Sequence, residues 1–163
     1  MQQVATATRV AQLETGSQFL SFILGSEEYG IEILRVQEIR GYSAITPIPN
    51  TPPHIRGLIN LRGTVAPVVD LRAKFGMPAV DYTRFTVIIL VAVSGKTVGL
   101  IVDAVSDVLN LAEDRIQPPP DLGSQVDMRI LRGVVAFDNR LVGLLDLERL
   151  LGDDVASSSR LVN

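Results

Sequence analysis

The chain has 163 residues, 47% of them hydrophobic and 20% charged, so it can form one domain or two very small ones and is too apolar to be disordered. Its formal charge of -3 offers no basic field to a nucleic acid, and the absence of Cys excludes disulfides and thiolate metal sites. Residues 1–17 lack the apolar core of a signal peptide, and the longest apolar run, residues 87–93, is too short to span a bilayer. We therefore expect a soluble, cytoplasmic protein.

The first predicted elements form a β-hairpin, in which apolar residues 19–24 and 29–33 flank a polar turn. A loop with four prolines follows at 47–53, and it must connect strands because proline cannot donate to a sheet ladder. A second hairpin pairs residues 58–61 with 65–69 around the turn Arg62-Gly63. Together these segments predict antiparallel strands in the first half of the chain.

A short helix closes this set of strands. Asp70 is well placed to cap the helix at its start, and Gly76 to end it. The same signals recur at Asp146 and Gly152 in the second half. Each half is therefore predicted to end in a brief helical turn.

The second half repeats the first. Residues 19–39 align with 88–108, and 56–76 with 132–152, both without gaps. The spacing between matched residues grows from 69 to 76, which adds seven residues to the middle loop of the second half. The identical pairs include Gly30/Gly99, Val36/Val105, Arg56/Arg132, Gly57/Gly133, Asp70/Asp146 and Gly76/Gly152. Two ungapped matches in the same order indicate a tandem repeat.

Five short strands and a helical turn per repeat predict a mostly β fold of two small barrels. Because a unit of ~60 residues buries only about 60% of its unfolded surface, the barrels should pack together along a seam. We expect the first barrel at roughly 19–76 and the second at roughly 85–152, within a folded region spanning 18–152. Residues 1–17 and 153–163 are predicted to be flexible tails.

Residue patterns of enzymes and nucleotide-binding proteins are weak in this chain. Ser94-Gly95-Lys96-Thr97 resembles the end of a P-loop, but Leu90 stands where the first glycine belongs, so a hairpin turn is favoured. His54 is the only histidine and has no nucleophile or second ligand nearby in sequence, which indicates a loop residue. Neither a metal site nor a catalytic site is predicted.

Glu38 and Arg62 are harder to classify. Glu38 follows the first hairpin and Arg62 lies at the tip of the second, whereas the second half has Asp107 and Asp138 at these places. The pair could be a surface ion pair worth ~0–1 kcal/mol or part of a binding site, and the pattern leaves both readings open. The difference between the halves indicates that the two barrels face different neighbours.

Three segments resemble the CheW family of bacterial chemotaxis coupling proteins. They are residues 27–42 (EEYGIEILRVQEIRGY), 50–75 (NTPPHIRGLINLRGTVAPVVDLRAKF) and 102–111 (VDAVSDVLNL). The resemblance covers about 18–151 and implies two SH3-like five-stranded barrels with no catalytic activity and no cofactor. It also implies that the protein connects methyl-accepting chemoreceptors to the histidine kinase CheA, at receptor arrays on the membrane and without inserting into the membrane.

The resemblance also implies particular site residues. Receptor-binding positions match Val36, Glu38, Ile39, Gly57, Asn60, Arg62 and Val108, and these should line a groove between the barrels that takes the receptor's helical hairpin tip. Kinase-binding positions match Ile45 and Leu122, and Leu122 stands where relatives carry an aromatic. Contacts between unlike barrels of CheA and this chain, or of CheW-like chains, would allow rings to close.

Three other functions remain open at this stage. A CheW-like adaptor could serve another pathway, such as twitching motility or second-messenger control. A small hydrolase could use Glu38 or Asp107, although no set of nucleophile, base and orienting group can be assembled. Nucleotide binding rests only on the Gly95-Lys96-Thr97 string.

Overall fold

A computed structural model describes residues 16–119 and 128–162. The ten strands are β1 (Gly16–Leu24), β2 (Glu27–Glu32), β3 (Val36–Gly41), β4 (Ile55–Leu61), β5 (Thr64–Asp70), β6 (Val87–Val93), β7 (Lys96–Val102), β8 (Ala104–Ala112), β9 (Leu131–Phe137) and β10 (Arg140–Leu145). The two α-helices are α1 (Leu71–Lys74) and α2 (Leu147–Val162), and 3-10 turns occupy Ile33–Arg35, Glu113–Arg115 and Met128–Ile130. The mostly β class, with two five-stranded sheets, confirms the predicted architecture.

The sheets do not follow the predicted division into residues 19–76 and 85–152. One sheet, here called sheet A, has the order β8-β1-β2-β10-β9, and sheet B has the order β3-β6-β7-β5-β4. The first hairpin of each repeat has therefore joined the sheet of the other repeat. The chain crosses between sheets at Ile33–Arg35 and at Asp103, so that β2 pairs with β10, and β7 with β5, in parallel. The prediction that each barrel is one continuous stretch of the chain is therefore wrong, because the first hairpins of the two repeats exchange between the sheets.

The duplication itself is visible in the backbone. Each repeat has a β-bulge at Gln37 or its counterpart Ser106, where one extra residue interrupts the pairing with the neighbouring strand. A second bulge occurs at Arg56 and at its counterpart Arg132. These matched irregularities show that the repeats share details of geometry as well as strand order.

Three apolar clusters form the core. One fills the barrel formed by sheet B (barrel B), around Ile59, Val68 and Leu90, and one fills the barrel formed by sheet A (barrel A), around Phe19, Leu109 and Leu144. The third and largest lies between the sheets and is the predicted seam. Neighbouring residues on a strand serve different clusters because their side chains point to opposite faces: Phe19 enters barrel A and Leu20 the seam.

The helices differ from each other more than the repeat predicts. Asp70 caps α1 by accepting hydrogen bonds from the Arg72 and Ala73 amides, and Gly76 ends it with φ of 72°, as expected. By contrast, α2 does not end at Gly152 as predicted but continues to Val162, through most of the segment predicted to be a tail. The helix continues because Val155 is buried in the seam and Asp154 forms ion pairs. Strand β1 likewise starts at Gly16, inside the predicted N-terminal tail, and residues 1–15 lie outside the described part of the chain.

Ion pairs fasten the two crossing points between sheets. Arg72 of α1 contacts Asp103 at 2.6 Å (Nη2–Oδ2) and 2.9 Å (Nε–Oδ1), and Asp103 also accepts from the Gly25 amide at 2.8 Å. At the other crossing Arg35 pairs with Glu148 of α2, which accepts from the Ser94 amide at 2.8 Å. The charges are reversed between the two crossings. The crossing segment supplies the acid, Asp103, at one of them and the base, Arg35, at the other. Among the described residues, no helix has the length and apolarity needed to cross a bilayer.

The Asp103 contact predicts a dependence of stability on pH. Hydrogen bonds from Arg72, and to a smaller extent the one from the Gly25 amide, lower the pKa of Asp103 below its ordinary value of 3.8. A carboxyl with a lower pKa in the folded state stabilises the protein above its unfolded pKa, and loses that contribution as the pH falls through the folded value. Asp103→Asn should therefore cost about 1–2 kcal/mol at pH 7 and progressively less below pH 4. Urea unfolding of both proteins at pH 7, 5 and 3 measures this, and a cost that stays constant down to pH 3 would contradict it.

Candidate functional site

The predicted receptor positions lie on both sheets. Val36, Glu38 and Ile39 belong to β3, an edge strand of sheet B. Asn60 and Arg62 lie at the β4–β5 hairpin of the same sheet. Val108 belongs to β8, an edge strand of sheet A, at the position equivalent to Ile39. With Gly57 on β4, six of the seven positions therefore belong to sheet B or its hairpin, and the seventh is on the other side of the seam.

Glu38 and Arg62 are in direct contact. Arg62 Nη2 donates to Glu38 Oε1 at 3.1 Å, and Arg40 Nε lies 3.7 Å from Glu38 Oε2. The Arg62 side chain is 80% exposed and that of Glu38 32%, so the pair adds little to stability while two arginines and one carboxylate are presented to solvent. The sequence could not show this contact, which joins an edge strand to a hairpin tip.

Asn60 shapes the turn that carries Arg62. Its Oδ1 accepts from the Gly63 amide at 2.9 Å, and Arg62 has a positive φ of 52°, which completes a tight hairpin between paired Leu61 and Thr64. Asn60 therefore positions Arg62 through the backbone.

Gly57 lies where barrel B closes. Thr46 and Leu58 exchange two backbone hydrogen bonds, of 2.9 and 2.8 Å, that tie the loop after β3, one edge strand of sheet B, to β4 at the other edge. A Cβ at Gly57 would lie 2.1 Å from the Thr46 carbonyl oxygen, and its φ of 147° favours glycine. The position is buried, so a substitution there disturbs the barrel before it can report on any groove.

The apolar members of the set differ in exposure. Ile39 is 43% exposed and Val108 45%, whereas Val36 is partly buried and packs against the seam. Ile39 and Val108 therefore present exposed apolar surface, one from each sheet. The apolar excess in the sequence is otherwise mostly accounted for by the seam.

A pocket of about 250 Å³ opens beside the Glu38–Arg62 pair. Leu61 and Leu90 lie at its base, where they belong to the core of barrel B. The polar residues that line it are Gln37, Glu38, Arg62, Thr64 and Thr97. Sequence reasoning found two of these five and missed Gln37, Thr64 and Thr97. The bulge that turns Gln37 toward Thr97 leaves no recognisable pattern in a single sequence.

Only one of the two predicted kinase-binding residues can be placed. Ile45 is partly buried against the core of barrel B, next to the closing bridge at Thr46. Leu122 lies outside the described residues. The kinase-binding assignments stay predictions.

Residues considered for other chemistry have structural roles. Ser94 and Gly95 have positive φ values of 50° and 77° and form the β6–β7 turn, as predicted, so no helix begins at Lys96. His54 is more than a loop residue, because its Nε2 lies 2.7 Å from Asp154 Oδ1, and Asp154 Oδ2 lies 2.9 Å from Lys74 Nζ. Within 16–119 and 128–162, no group of three His, Cys, Asp or Glu side chains could hold a metal ion.

Comparison with known proteins agrees with this geometry. The family model described as "CheW-like domain" matches residues 18–155. The chain is 44% identical to chemotaxis protein CheW of Klebsiella aerogenes, over 94% of this chain and 93% of that protein. It is 34% identical to chemotaxis protein CheW of Bacillus subtilis, over 91% of this chain and 96% of that one.

A solved structure is similar in fold as well as in sequence. The scaffolding protein TtCheW from Thermoanaerobacter tengcongensis superposes with a TM-score of 0.78 at 36% identity, covering 83% of this chain and 88% of that one. These matches agree with the two five-stranded sheets joined across a seam and with the exposed Glu38–Arg62 pair, and together they lead to one conclusion. The chain belongs to the CheW-like family, the non-catalytic scaffold proteins of bacterial chemotaxis.

Proposed function

We propose that this protein couples methyl-accepting chemoreceptors to the histidine kinase CheA by binding both at once. The observation that supports this most is the exposed Glu38–Arg62 pair, which lies on the positions that the family resemblance assigns to the receptor. An exposed pair of this kind contributes little to folding, so its place in the molecule is better explained by a partner.

The receptor's helical hairpin tip would contact the edge strands of both sheets. Ile39 of sheet B and Val108 of sheet A supply exposed apolar surface, and Arg62 supplies charge at one side. A helix laid against such a surface is held by apolar anchors and oriented by the polar ones. Val36, Asn60 and Gly57 would support this surface from beneath, through packing, the turn and the barrel closure.

The kinase would bind elsewhere, at the barrel ends near Ile45 and Leu122. Barrel B of this protein would meet the opposite barrel type of the CheA regulatory domain, so that the two proteins, or further CheW-like copies, close into rings. A receptor could then control the kinase by favouring one arrangement of this assembly, which requires that it contact the two arrangements differently. The proposed location is the cytoplasmic face of membrane-bound receptor arrays, with no nucleic acid and no cofactor involved.

Removing either member of the Glu38–Arg62 pair should weaken coupling and leave the fold intact. We expect Arg62→Ala and Glu38→Ala to change the free energy of unfolding by about 0–1 kcal/mol, because the pair is exposed. We expect both to reduce receptor control of CheA activity about tenfold or more, as loss of a charged interface contact can.

The measurements are thermal melting and kinase activity in an assembly of receptor fragment, CheA and this protein. Arg149→Ala is a matched control, since Arg149 forms another exposed ion pair, 3.6 Å from Asp146. Sizing the mixture of the three proteins tests the proposal as a whole. A wild-type protein that forms no complex with CheA or with the receptor fragment would refute it.

A further inference from the structure

The repeats provide an internal comparison for the pocket beside Arg62. By the matched registers, Thr64 of repeat 1 corresponds to Arg140 of repeat 2: Thr64 pairs with Leu61 across one hairpin, and Arg140 with Phe137 across the other. Thr97 corresponds in the same way to Glu28. The same two places in the fold therefore hold two small residues in barrel B and two large charged ones in barrel A.

In barrel A these places are filled. Arg140 Nη1 lies 3.5 Å from Glu28 Oε1, and the Glu28 side chain is only 7% exposed. The pair occupies the end of the barrel with its own side chains. In barrel B, threonines at both places leave the 250 Å³ pocket, with Leu61 and Leu90 at its base. The pocket in barrel B is thus equivalent to the space that barrel A fills with the side chains of Arg140 and Glu28.

The pocket has room for a side chain from another molecule. A water molecule takes up about 30 Å³ of liquid, so this volume could hold a carboxylate side chain together with several waters. Because the floor belongs to the rigid core of barrel B and the walls belong to paired strands, the space needs no rearrangement to be entered. A preformed site binds without the cost of ordering its own residues.

The lining offers more hydrogen-bond donors than acceptors. Arg62 uses only Nη2 for Glu38, which leaves most of its five N–H groups without a partner in the described part of the chain. Thr97 donates to Gln37 Oε1 at 2.8 Å, so this bond uses the carbonyl oxygen of the Gln37 amide and leaves its NH2 available as a donor. Arg40 lies outside the lining, but its contact with Glu38 gives the pocket and its rim two arginines against one carboxylate, a net positive charge. A ligand with acceptor oxygens and negative charge fits this lining best.

We propose that this pocket receives a carboxylate side chain from the receptor helix, held by Arg62 and by the Gln37–Thr97 pair. The inference rests on the proposed function, and it adds Gln37, Thr64 and Thr97 to the contact surface. The bulge at Gln37 has a purpose under this proposal, since it aims that side chain at Thr97 on a strand two places away in the sheet. Barrel A, which fills the equivalent space with Arg140 and Glu28, would not take the same ligand.

The first experiment fills the pocket with the residues that barrel A uses. Thr64→Arg with Thr97→Glu copies the Arg140–Glu28 pair into barrel B, and binding of a receptor cytoplasmic hairpin fragment is measured by titration calorimetry. We expect the double variant to bind at least about tenfold more weakly than wild type, with an unchanged melting temperature. Affinity equal to that of wild type would overturn the pocket proposal, whereas a wild-type protein that fails to bind the fragment would overturn the proposed function instead.

A second variant keeps the test decisive if the charged pair disrupts folding. Thr64→Val with Thr97→Val preserves shape and removes both hydroxyls, so Gln37 loses its partner. We expect about three- to tenfold weaker binding of the same fragment, the range for losing one or two neutral hydrogen bonds. Unchanged affinity in this well-folded variant would also overturn the proposal.

The carboxylate itself is tested with a panel of hairpin fragments, each with one Asp or Glu changed to its amide. One of these changes should weaken binding to wild type about tenfold and have little effect on binding to Arg62→Gln, because the two charges act on each other. Arg149→Gln serves as a control arginine and should respond like wild type. If no fragment shows such coupling to Arg62, the ligand is not a carboxylate and the proposal is wrong.

Discussion

Gly57→Ala should destabilise the protein by about 3 kcal/mol or more, which lowers the melting temperature by about 6–12 °C. The added Cβ would lie 2.1 Å from the Thr46 carbonyl oxygen and 2.9 Å from Ile45 Cγ2, so the strand cannot stay where it is. Moving it apart breaks the two hydrogen bonds between Thr46 and Leu58, and the φ of 147° adds strain for any residue with a side chain.

Two other glycines calibrate this effect. Gly133 closes barrel A in the equivalent way, with a Cβ 2.5 Å from the Gln117 carbonyl oxygen but no positive φ, so Gly133→Ala should cost less than Gly57→Ala. Gly41 lies on β3 with open space at its Cβ, so Gly41→Ala should be close to neutral. Thermal unfolding of the three variants gives the order directly. A melting temperature for Gly57→Ala equal to that of Gly41→Ala would show that the closure is not rigid.

This expectation changes how Gly57 can be used to study binding. The family resemblance assigns it to the receptor groove, and a charged substitution such as Gly57→Asp would be expected to block that groove. Because the residue is buried at the barrel closure, such a variant loses binding through unfolding as readily as through charge. Ile39, which is exposed on β3, is the better position for a charge that tests the groove.

Local signals in the sequence were sufficient for the elements that a few neighbouring residues determine. The turn at Arg62-Gly63, the Asp70 cap and the Gly76 stop each depend on residue types within four positions of one another. The duplication was also visible, because it needs only the chain compared with itself. Strands β3 and β8 were not located, since exposed edge strands carry polar residues at alternate positions and resemble loops.

The exchange of hairpins could not be read from the pattern. Strand β2 could pair with β5 or with its repeat-equivalent β10, because both offer the same run of consecutive buried residues after an exposed start. In the structure the chain crosses at Ile33–Arg35 and Asp103, and ion pairs with Glu148 and Arg72 hold these crossings. These contacts join residues far apart in sequence, as does the Glu38–Arg62 pair, and no short motif encodes them.

The continuation of α2 beyond Gly152 leads to the second large expected effect. The Asp154 side chain is 7% exposed and contacts both His54, just before β4, and Lys74 of α1. Helix α2 leaves sheet A at β10, while these partners and Ser94, which binds Glu148, belong to the part of the fold built around sheet B. The helix is therefore tied to the opposite sheet at two points along its length.

Asp154→Ala should cost about 3 kcal/mol, within the range for removing one partner of a buried ion pair, because Lys74 and His54 then keep polar groups in a poorly solvated site. Hydrogen exchange should accelerate most in residues 151–156, beyond the first turn, since the helix loses its outer attachment while Glu148 still holds that turn. The neighbouring Asp153 is exposed, so Asp153→Ala is a control matched in chemistry and should leave both melting and exchange nearly unchanged. If the two alanine variants behave alike, Val155 and the seam hold the helix by themselves, and the ion pairs only accompany that packing.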